Sequence, residues 1–240
     1  MEVKPYEANR EKKEQVAEMF DNIAHRYDFL NHFFSLGIDK IWRKKAIHIL
    51  DKSHPASVLD VATGTGDFAI QYAGKNPTVK ITGVDISAGM LEIGKKKLVK
   101  GKLNDRIVMV QADSEKLPFI DNTFDGYTVG FGVRNFQHLD AGLKEMLRVL
   151  KPGAMGVILE FSRPKKFPVK QLFGFYFKRI MPALGKLVSK DHRAYTYLPE
   201  SVDAFPDGQQ FLDVMTRCGY RNVSMKTVSG GIATIYTGVK

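Results

Sequence analysis

Val58-Leu59-Asp60-Val61-Ala62-Thr63-Gly64-Thr65-Gly66 decides the fold. A short apolar run from Ser57 to Ala62 reads as a buried strand, and the small residues after it read as a tight turn. The turn opens a helix that continues through Ala69–Ala73. Two glycines let the backbone come close to a ligand, and a helix N-terminus offers free N–H groups to it. The spacing Gly64-x-Gly66-x-x-Ala69 also fits a dinucleotide-binding turn, so it does not choose between nucleotide-like ligands.

The same alternation continues outward. Lys80–Asp85, Arg106–Ala112, Phe124–Val129 and Ala154–Phe161 read as further strands, with helices at Ser87 to about Lys100 and at Leu139–Leu150. Pro152-Gly153 predicts a turn before the fifth strand. Repeated strand–helix units require right-handed crossovers, which give an α/β, doubly wound, mostly parallel sheet. After a helix at Gln209–Cys218, Asn222–Val228 and Ile232–Val239 read as strands joined through Ser229-Gly230-Gly231, an antiparallel C-terminal hairpin. Lys12–Leu50 is periodic as helix, with an aromatic joint expected at Tyr27–Ser35. Arg163–Pro199 interrupts the alternation and reads as a helical insertion.

Asp60 weighs on the choice of ligand. A carboxylate so near the glycine turn would repel a pyrophosphate at short range, whereas it suits a donor carrying an ammonium and a sulfonium. S-adenosylmethionine (SAM) is such a donor and has no phosphate. Gly64, Thr65 and Gly66 would form the turn around it. Asp85, 21 positions after Gly64, ends the second strand and can accept both ribose hydroxyls. Asp113 and Ser114 end the third strand; Asp113 can accept from an adenine amino group, and Ser114 can assist or cap the next turn. Any one acid at a strand end can be a helix cap; three at successive strand ends around a glycine turn point to a ligand.

This set resembles the class I SAM-dependent methyltransferases over roughly Ser57 to Lys240, which implies a seven-stranded sheet. Two longer signatures, Tyr27-Asp28-Phe29-Leu30-Asn31-x-x-Phe34-Ser35-x-Gly37-x-Asp39-x-x-Trp42 and Arg148-Val149-Leu150-Lys151-Pro152-Gly153-Ala154, are similar to those of the ubiquinone/menaquinone biosynthesis C-methyltransferase family. So are Leu159-Glu160-Phe161-Ser162, Phe131-Gly132-Val133-Arg134-Asn135 and Ala194-Tyr195-Thr196-Tyr197-Leu198-Pro199-Glu200-Ser201. Three positions depart from the family pattern: Asp39 stands in place of histidine, Gly130 in place of serine and Ala154 in place of glycine. The resemblance implies methyl transfer from SAM to a ring carbon of a reduced polyprenylated quinol. Demethylmenaquinol is the first expectation and a 2-polyprenyl-6-methoxy-benzoquinol the second.

An aromatic carbon becomes nucleophilic when the neighbouring hydroxyl loses its proton. Such a group titrates near pH ~10, and a fixed cation beside the oxygen lowers the cost. Arg134, after the fourth strand, is the expected cation; arginine itself stays protonated and is a poor base. His25, Tyr27 and Asp28 in the N-terminal joint are expected to close over the cofactor, one of them acting as base or orienting group. Tyr195 and Tyr197 are expected to line the acceptor pocket, and Trp42 to be core.

The 240 residues suit one domain, read as a helical lid (1–52), a SAM-binding core (53–162), a helical insertion for acceptor and membrane (163–200) and a C-terminal helix and hairpin (201–240). A single cysteine, Cys218, excludes an intrachain disulfide and a cysteine-rich metal site, and no metal is expected. No run of ~18 apolar residues and no signal-peptide pattern is present, so a cytoplasmic location is expected. The net charge of +10 is concentrated: Arg163–Arg193 holds nine lysines and arginines and one acid, Asp191. Phe173, Tyr176, Phe177, Ile180, Leu184 and Leu187 share a helical face there among lysines, the pattern of a peripheral contact with an anionic membrane surface. The aliphatic content of this segment argues against a nucleic-acid partner and hence against an RNA methyltransferase. Asp60 and the C-terminal hairpin argue against an NAD-dependent reductase, and the retained Arg134 against a non-catalytic scaffold. Pairing of two copies of the chain is left open.

Overall fold

The computed structural model describes residues 3–180 and 192–240. Helices α1 (Lys12–Phe34) and α2 (Ile38–Asp51) lead into β1 (Ser57–Val61), α3 (Asp67–Lys75), β2 (Lys80–Asp85), α4 (Ala88–Gly101), β3 (Ile107–Gln111) and β4 (Phe124–Gly130). Then follow α5 (Leu139–Val149), β5 (Leu150–Phe161), α6 (Val169–Phe175), α7 (His192–Ala204), α8 (Gln209–Arg217), β6 (Arg221–Val228) and β7 (Ala233–Val239). The seven strands form one sheet in the order β3-β2-β1-β4-β5-β7-β6. The first five pair in parallel, and β7 lies antiparallel between β5 and β6. This is the expected doubly wound sheet with an inserted hairpin strand.

Side chains alternate across the sheet. Leu59 and Val61 of β1 join a core with Leu143 and Met146 of α5 and Phe211 and Met215 of α8. Val58 joins the opposite core with Ile47 of α2, Phe68 and Tyr72 of α3, and Leu91 of α4. With helices on both faces, the carboxyl ends of β1, β2, β3 and β4 are left to meet at one edge, where open α/β sheets place their ligands.

Two expectations need correction. The joint expected at Tyr27–Ser35 is helical as far as Phe34, and the chain turns at Leu36 and Gly37, both at positive φ. Gly37, at φ 72, is the position where a side chain would be strained. The Pro152-Gly153 turn lies inside β5, which begins at Leu150; it appears as a register shift against β4 between Phe124 and Gly126.

One close approach fixes how β4 and β5 pack. Gly156 on β5 pairs with Tyr127 on β4, and a Cβ at Gly156 would stand 2.1 Å from Tyr127 Cζ. The ring is held there because Tyr127 Oη donates to Tyr220 Oη at 2.9 Å, which in turn donates to the Leu143 carbonyl at 2.9 Å. Gly156→Ala therefore overpacks a buried site and is expected to cost about 1–3 kcal/mol, lowering the thermal midpoint by about 3–10 °C in a calorimetric scan.

Candidate active site

The loops at the carboxyl ends of β1 to β4 enclose a cavity of about 80 Å³ capped by α1. Gly64, Asp85, Asp113 and Ser114 all line it, as expected from their places at strand ends. Asp85 is the most constrained of them. Its Oδ2 accepts from Gly64 N at 2.8 Å and its Oδ1 from Ser87 N at 2.9 Å. Burial raises its carboxyl, and the N–H groups of Ser87 and Gly64 oppose that rise. Asp113 accepts from Glu115 N at 2.8 Å and from the Lys13 ammonium of α1 at 3.2 Å.

The charged lining of this cavity is Asp85, Asp113 and Glu115 against Lys13 alone. Three acids and one base suit a donor that is itself cationic and carries hydroxyls and an amino group; they would repel a diphosphate. Around Gly64 a Cβ would meet nothing within 4 Å, so the loop backbone is open to a ligand. The cavity's chemistry fits SAM.

Asp60, Thr65 and Gly66 are not brought to this wall. Asp60 is buried at 1 % exposure, and its two oxygens accept from the hydroxyls of Thr63 and Thr128, the latter at 2.7 Å. Burial pushes its carboxyl up to about 6, with both hydroxyls opposing. Asp60 thus ties the glycine turn to β4 through its two hydroxyl partners and does not line the cavity. Thr65 Oγ1 donates to Asp28. Gly66, at φ 82, starts α3, and a Cβ there would stand 2.3 Å from Met109 Cε.

A second cavity of about 250 Å³ lies beside the first, and Phe20, Tyr27 and Phe131 line both. Its wall is largely aromatic and aliphatic: Trp42, Phe161, Phe173, Tyr176, Phe177 and Leu198 among others. Arg134 and Asn31 are its polar exceptions besides Tyr27, Ser35 and the tyrosines of α6–α7. Tyr197 lines this cavity, is buried and donates to Asn135 Oδ1 at 3.2 Å; the side chain of Tyr195 lies outside the described ones. Trp42 is core, as expected, and also cavity wall, with its Nε1 donating to Ser229 Oγ at 2.8 Å.

Arg134 sits in the short turn after β4. Its Nη1 donates to Glu160 Oε1 at 2.8 Å and to the Phe131 carbonyl, and its guanidinium lies 5.5 Å from the centre of the Phe161 ring. Glu160 is fully buried, and burial raises its carboxyl while Arg134 opposes the rise. Arg134 Nε is buried and has no hydrogen-bond partner among the described residues. Glu160 lies within the Leu159–Ser162 signature, where no local pattern shows that it anchors an arginine 26 positions earlier.

The three lid residues separate. Tyr27 faces both cavities; burial pushes its phenol up to about 12, with Arg134 opposing, so it is protonated at neutral pH and a donor instead of a base. Asp28 lines neither cavity and is bound to Thr65 and, at 2.8 Å, to the Lys97 ammonium. His25 is exposed and lines neither. Two residues apart on a helix, His25 and Tyr27 point to different sides.

The expected lipid-facing stripe also turns out differently in its described part: Phe173, Tyr176 and Phe177 face the second cavity. Leu184 and Leu187 lie outside the described residues. The exposed apolar side chains of this segment are Phe167, Leu172 and Phe175, at 80, 66 and 63 %.

Asp60 yields a pH test. Its folded value of about 6 lies above the ordinary carboxylate value of 3.8, so the folded state holds the proton more tightly. The native protein therefore loses stability as pH rises from about 4 to 6. Asp60→Asn lacks that loss; measured by denaturant unfolding, its stability relative to wild type is expected to rise by about 2 kcal/mol between pH 4 and 7.

Known proteins agree with this geometry. A SAM-dependent methyltransferase of Thermotoga maritima shares the fold at a TM-score of 0.63 and 17% identity, covering 94% of this chain and 99% of that one. The chain is 49% identical over 238 residues to a demethylmenaquinone methyltransferase of Bacteroides fragilis, covering 99% of this chain and 97% of the relative. It is 48% identical over 231 residues to the ubiquinone/menaquinone biosynthesis C-methyltransferase UbiE of Geotalea daltonii, covering 96% and 98%. The ubiE/COQ5 methyltransferase family matches residues 8–240; with its strand ends, glycine turn and two adjoining cavities, the chain belongs to that family.

Proposed function

We propose that this protein transfers the methyl group of SAM to a ring carbon of demethylmenaquinol, giving menaquinol. The observation that carries the reading is the shared wall: an acid-lined cavity that fits a cationic donor and an apolar cavity that fits a prenylated ring meet at Phe20, Tyr27 and Phe131. The name of the Bacteroides relative favours the naphthoquinol. The name of the Geotalea relative keeps the benzoquinol as a second acceptor.

Bound in the acid-lined cavity, SAM supplies an electrophilic methyl on a sulfonium. Gly64, Asp85, Asp113 and Ser114 would hold its nucleoside. Arg134 stabilises the phenolate form of the acceptor from within the apolar cavity, where charges act strongly. Tyr27, protonated, donates to an acceptor oxygen or orients the ring. The hydroxyl proton leaves to water; once the carbon holds the methyl group and the sulfur has left as the thioether, that carbon loses its own proton and the oxygen regains one, which restores the diol with one proton released in all, so no side chain need serve as a strong base. The aromatic wall excludes bulk water and holds the reacting carbon toward the shared face; productive transfer needs an approach of ~3–3.5 Å in line with the leaving sulfur.

Among the described residues no helix is long and apolar enough to cross a membrane. The acceptor's isoprenoid tail resides in lipid, so the protein must meet a bilayer. We place that contact at Phe167, Leu172 and Phe175 with the exposed Lys165, Lys166 and Lys170, on the cytoplasmic face of the membrane. Each basic residue near anionic lipid contributes ~1 kcal/mol, which supports reversible attachment.

Arg134→Ala is expected to lower kcat for methylation about 10²–10³-fold with the SAM dissociation constant within about twofold, measured by methyl transfer to a quinol and by calorimetry. Unchanged turnover in the folded variant removes Arg134 from the reaction. In cells lacking the protein, mass spectrometry of quinones should find a species lighter by one CH2 unit, whose ring identifies the acceptor. Flotation with anionic vesicles should recover the protein at low salt and lose it at high salt. The double variant Phe167→Ser, Phe175→Ser should float less; wild-type recovery of that variant would move the contact elsewhere.

A further inference from the structure

The inner face of α1 presents Phe20, Ile23 and Tyr27 to the apolar cavity at steps of three and four residues. The next step along that face is Asn31, which also lines the cavity. An apolar side chain is what the stripe calls for. The Asn31 Nδ2 is buried and has no hydrogen-bond partner among the described residues, an arrangement less stable than an apolar residue of the same size. Buried polar atoms left unpaired in a cavity mark a place where a ligand completes the bonding.

Arg134, which lines the same cavity, carries a second such atom: its Nε is buried and has no partner among the described residues. It comes from the turn after β4, whereas Asn31 comes from α1. Neighbouring polar groups are already occupied: Trp42 Nε1 by Ser229, Tyr197 Oη by Asn135. Beside the Tyr27 hydroxyl, the wall thus offers two separate N–H donors, one from α1 and one from the turn after β4. A ring with one oxygen satisfies one of them. A 1,4-dihydroxy ring has oxygens on opposite edges and satisfies both.

Building on the quinol reading above, we propose that Asn31 binds the ring oxygen remote from Arg134 and thereby selects 1,4-diols over monohydroxylated rings. Arg134 takes the oxygen next to the reacting carbon, where negative charge develops. Asn31 takes the oxygen next to the prenyl-bearing carbon, and fixes which edge of the ring is turned to the donor cavity. A site built to hydrogen-bond a substrate oxygen discriminates strongly against an analogue that lacks it, because the protein donor is then left unpaired.

The test is a cycle of two enzymes and two acceptors with SAM saturating. The acceptors are a short-chain 2-prenyl-1,4-naphthalenediol and its analogue lacking the hydroxyl beside the prenyl-bearing carbon. The analogue is intrinsically less reactive, and the cycle cancels that difference. Asn31→Leu is expected to lower kcat/KM for the diol about 10–100-fold and to leave the analogue within about twofold. Its SAM affinity should be unchanged and its thermal midpoint equal to or above the wild-type value, since an unpaired buried amide has been removed. Asn31→Asp, close to isosteric, keeps the shape and replaces the donor with an acceptor; it should show the same selective loss if Leu perturbs the helix. Equal loss on both acceptors, or no loss on the diol, overturns the assignment. If the wild-type enzyme binds SAM but methylates neither acceptor, the quinol reading itself falls, and this assignment with it.

Discussion

The arrangement turns on burying one carboxylate. Glu160 sits at the end of β5 with no solvent exposure. An ionised carboxylate there is tolerable only if it is paired and hydrogen-bonded. Arg134 Nη1 meets one oxygen at 2.8 Å, Phe161 N donates at 2.8 Å and Arg134 N at 3.4 Å. The arginine is thereby fixed from three sides, since the Phe131 carbonyl and the Phe161 ring hold the same guanidinium. Removing either partner would leave an unpaired buried charge, at a cost of about 3–5 kcal/mol. A cation held this firmly does not reorganise when charge develops nearby, which is what the proposed stabilisation of a phenolate requires.

Around that anchor, α1 turns an open sheet edge into two chambers. The Lys12 ammonium donates to the carbonyls of Arg134 at 3.1 Å and Phe136 at 3.0 Å. Asp21 accepts from Gly89 N at 2.8 Å and from the Ser87 hydroxyl, at the start of α4, where a carboxylate also meets the positive end of the helix. Every one of these contacts falls on the segments that follow β2 and β4, at the carboxyl ends of the strands. Seating the helix and forming both chambers are therefore one event. Lys13 bears on it differently: it binds the carboxylate of Asp113, an acid that the nucleoside would also use, so donor entry and the lid's hold on β3 compete for one group.

Much of this was legible in the sequence, and the gaps have physical causes. β2 runs over Lys80–Asp85 as read, because a short apolar strand between turns leaves little freedom of boundary. Gly64, Asp85, Asp113 and Ser114 reach the cavity because a strand end in a doubly wound sheet has only one edge to occupy. Asp60 could not be placed the same way. Its partner Thr128 lies 68 positions away on a neighbouring strand, and nothing local shows that two hydroxyls would claim its oxygens. Asn31 left a fainter signal. It breaks an i, i+3, i+7 apolar stripe, but that is meaningful only once α1 is known to continue past Tyr27 to Phe34. Reading the joint as a break at Tyr27 hid the stripe, and with it the reason why His25 and Tyr27 face apart.

The departures from the family pattern make sense in the same terms. Gly130 lines the donor cavity, and a Cβ there would stand 2.9 Å from Phe68 Cδ2. Phe68, buried on α3, therefore occupies the room a serine would need, so position 130 is set by packing beneath the glycine turn. Asp39, where the family usually carries histidine, is buried at 1 % exposure and forms a close ion pair with Arg43, one turn along α2. Arg43 lies 3.7 Å from Asp67 at the start of α3, Asp67 meets Lys97 of α4, and Lys97 holds Asp28 of α1. An acid at position 39 thus begins a chain of alternating charges, Asp39, Arg43, Asp67, Lys97 and Asp28, that ends on the lid beside Thr65. Histidine could donate into such a chain but would not neutralise Arg43. Asp39 lines neither chamber, so position 39 meets the site only through this chain of charges, which ties α2 and the start of α3 to α1.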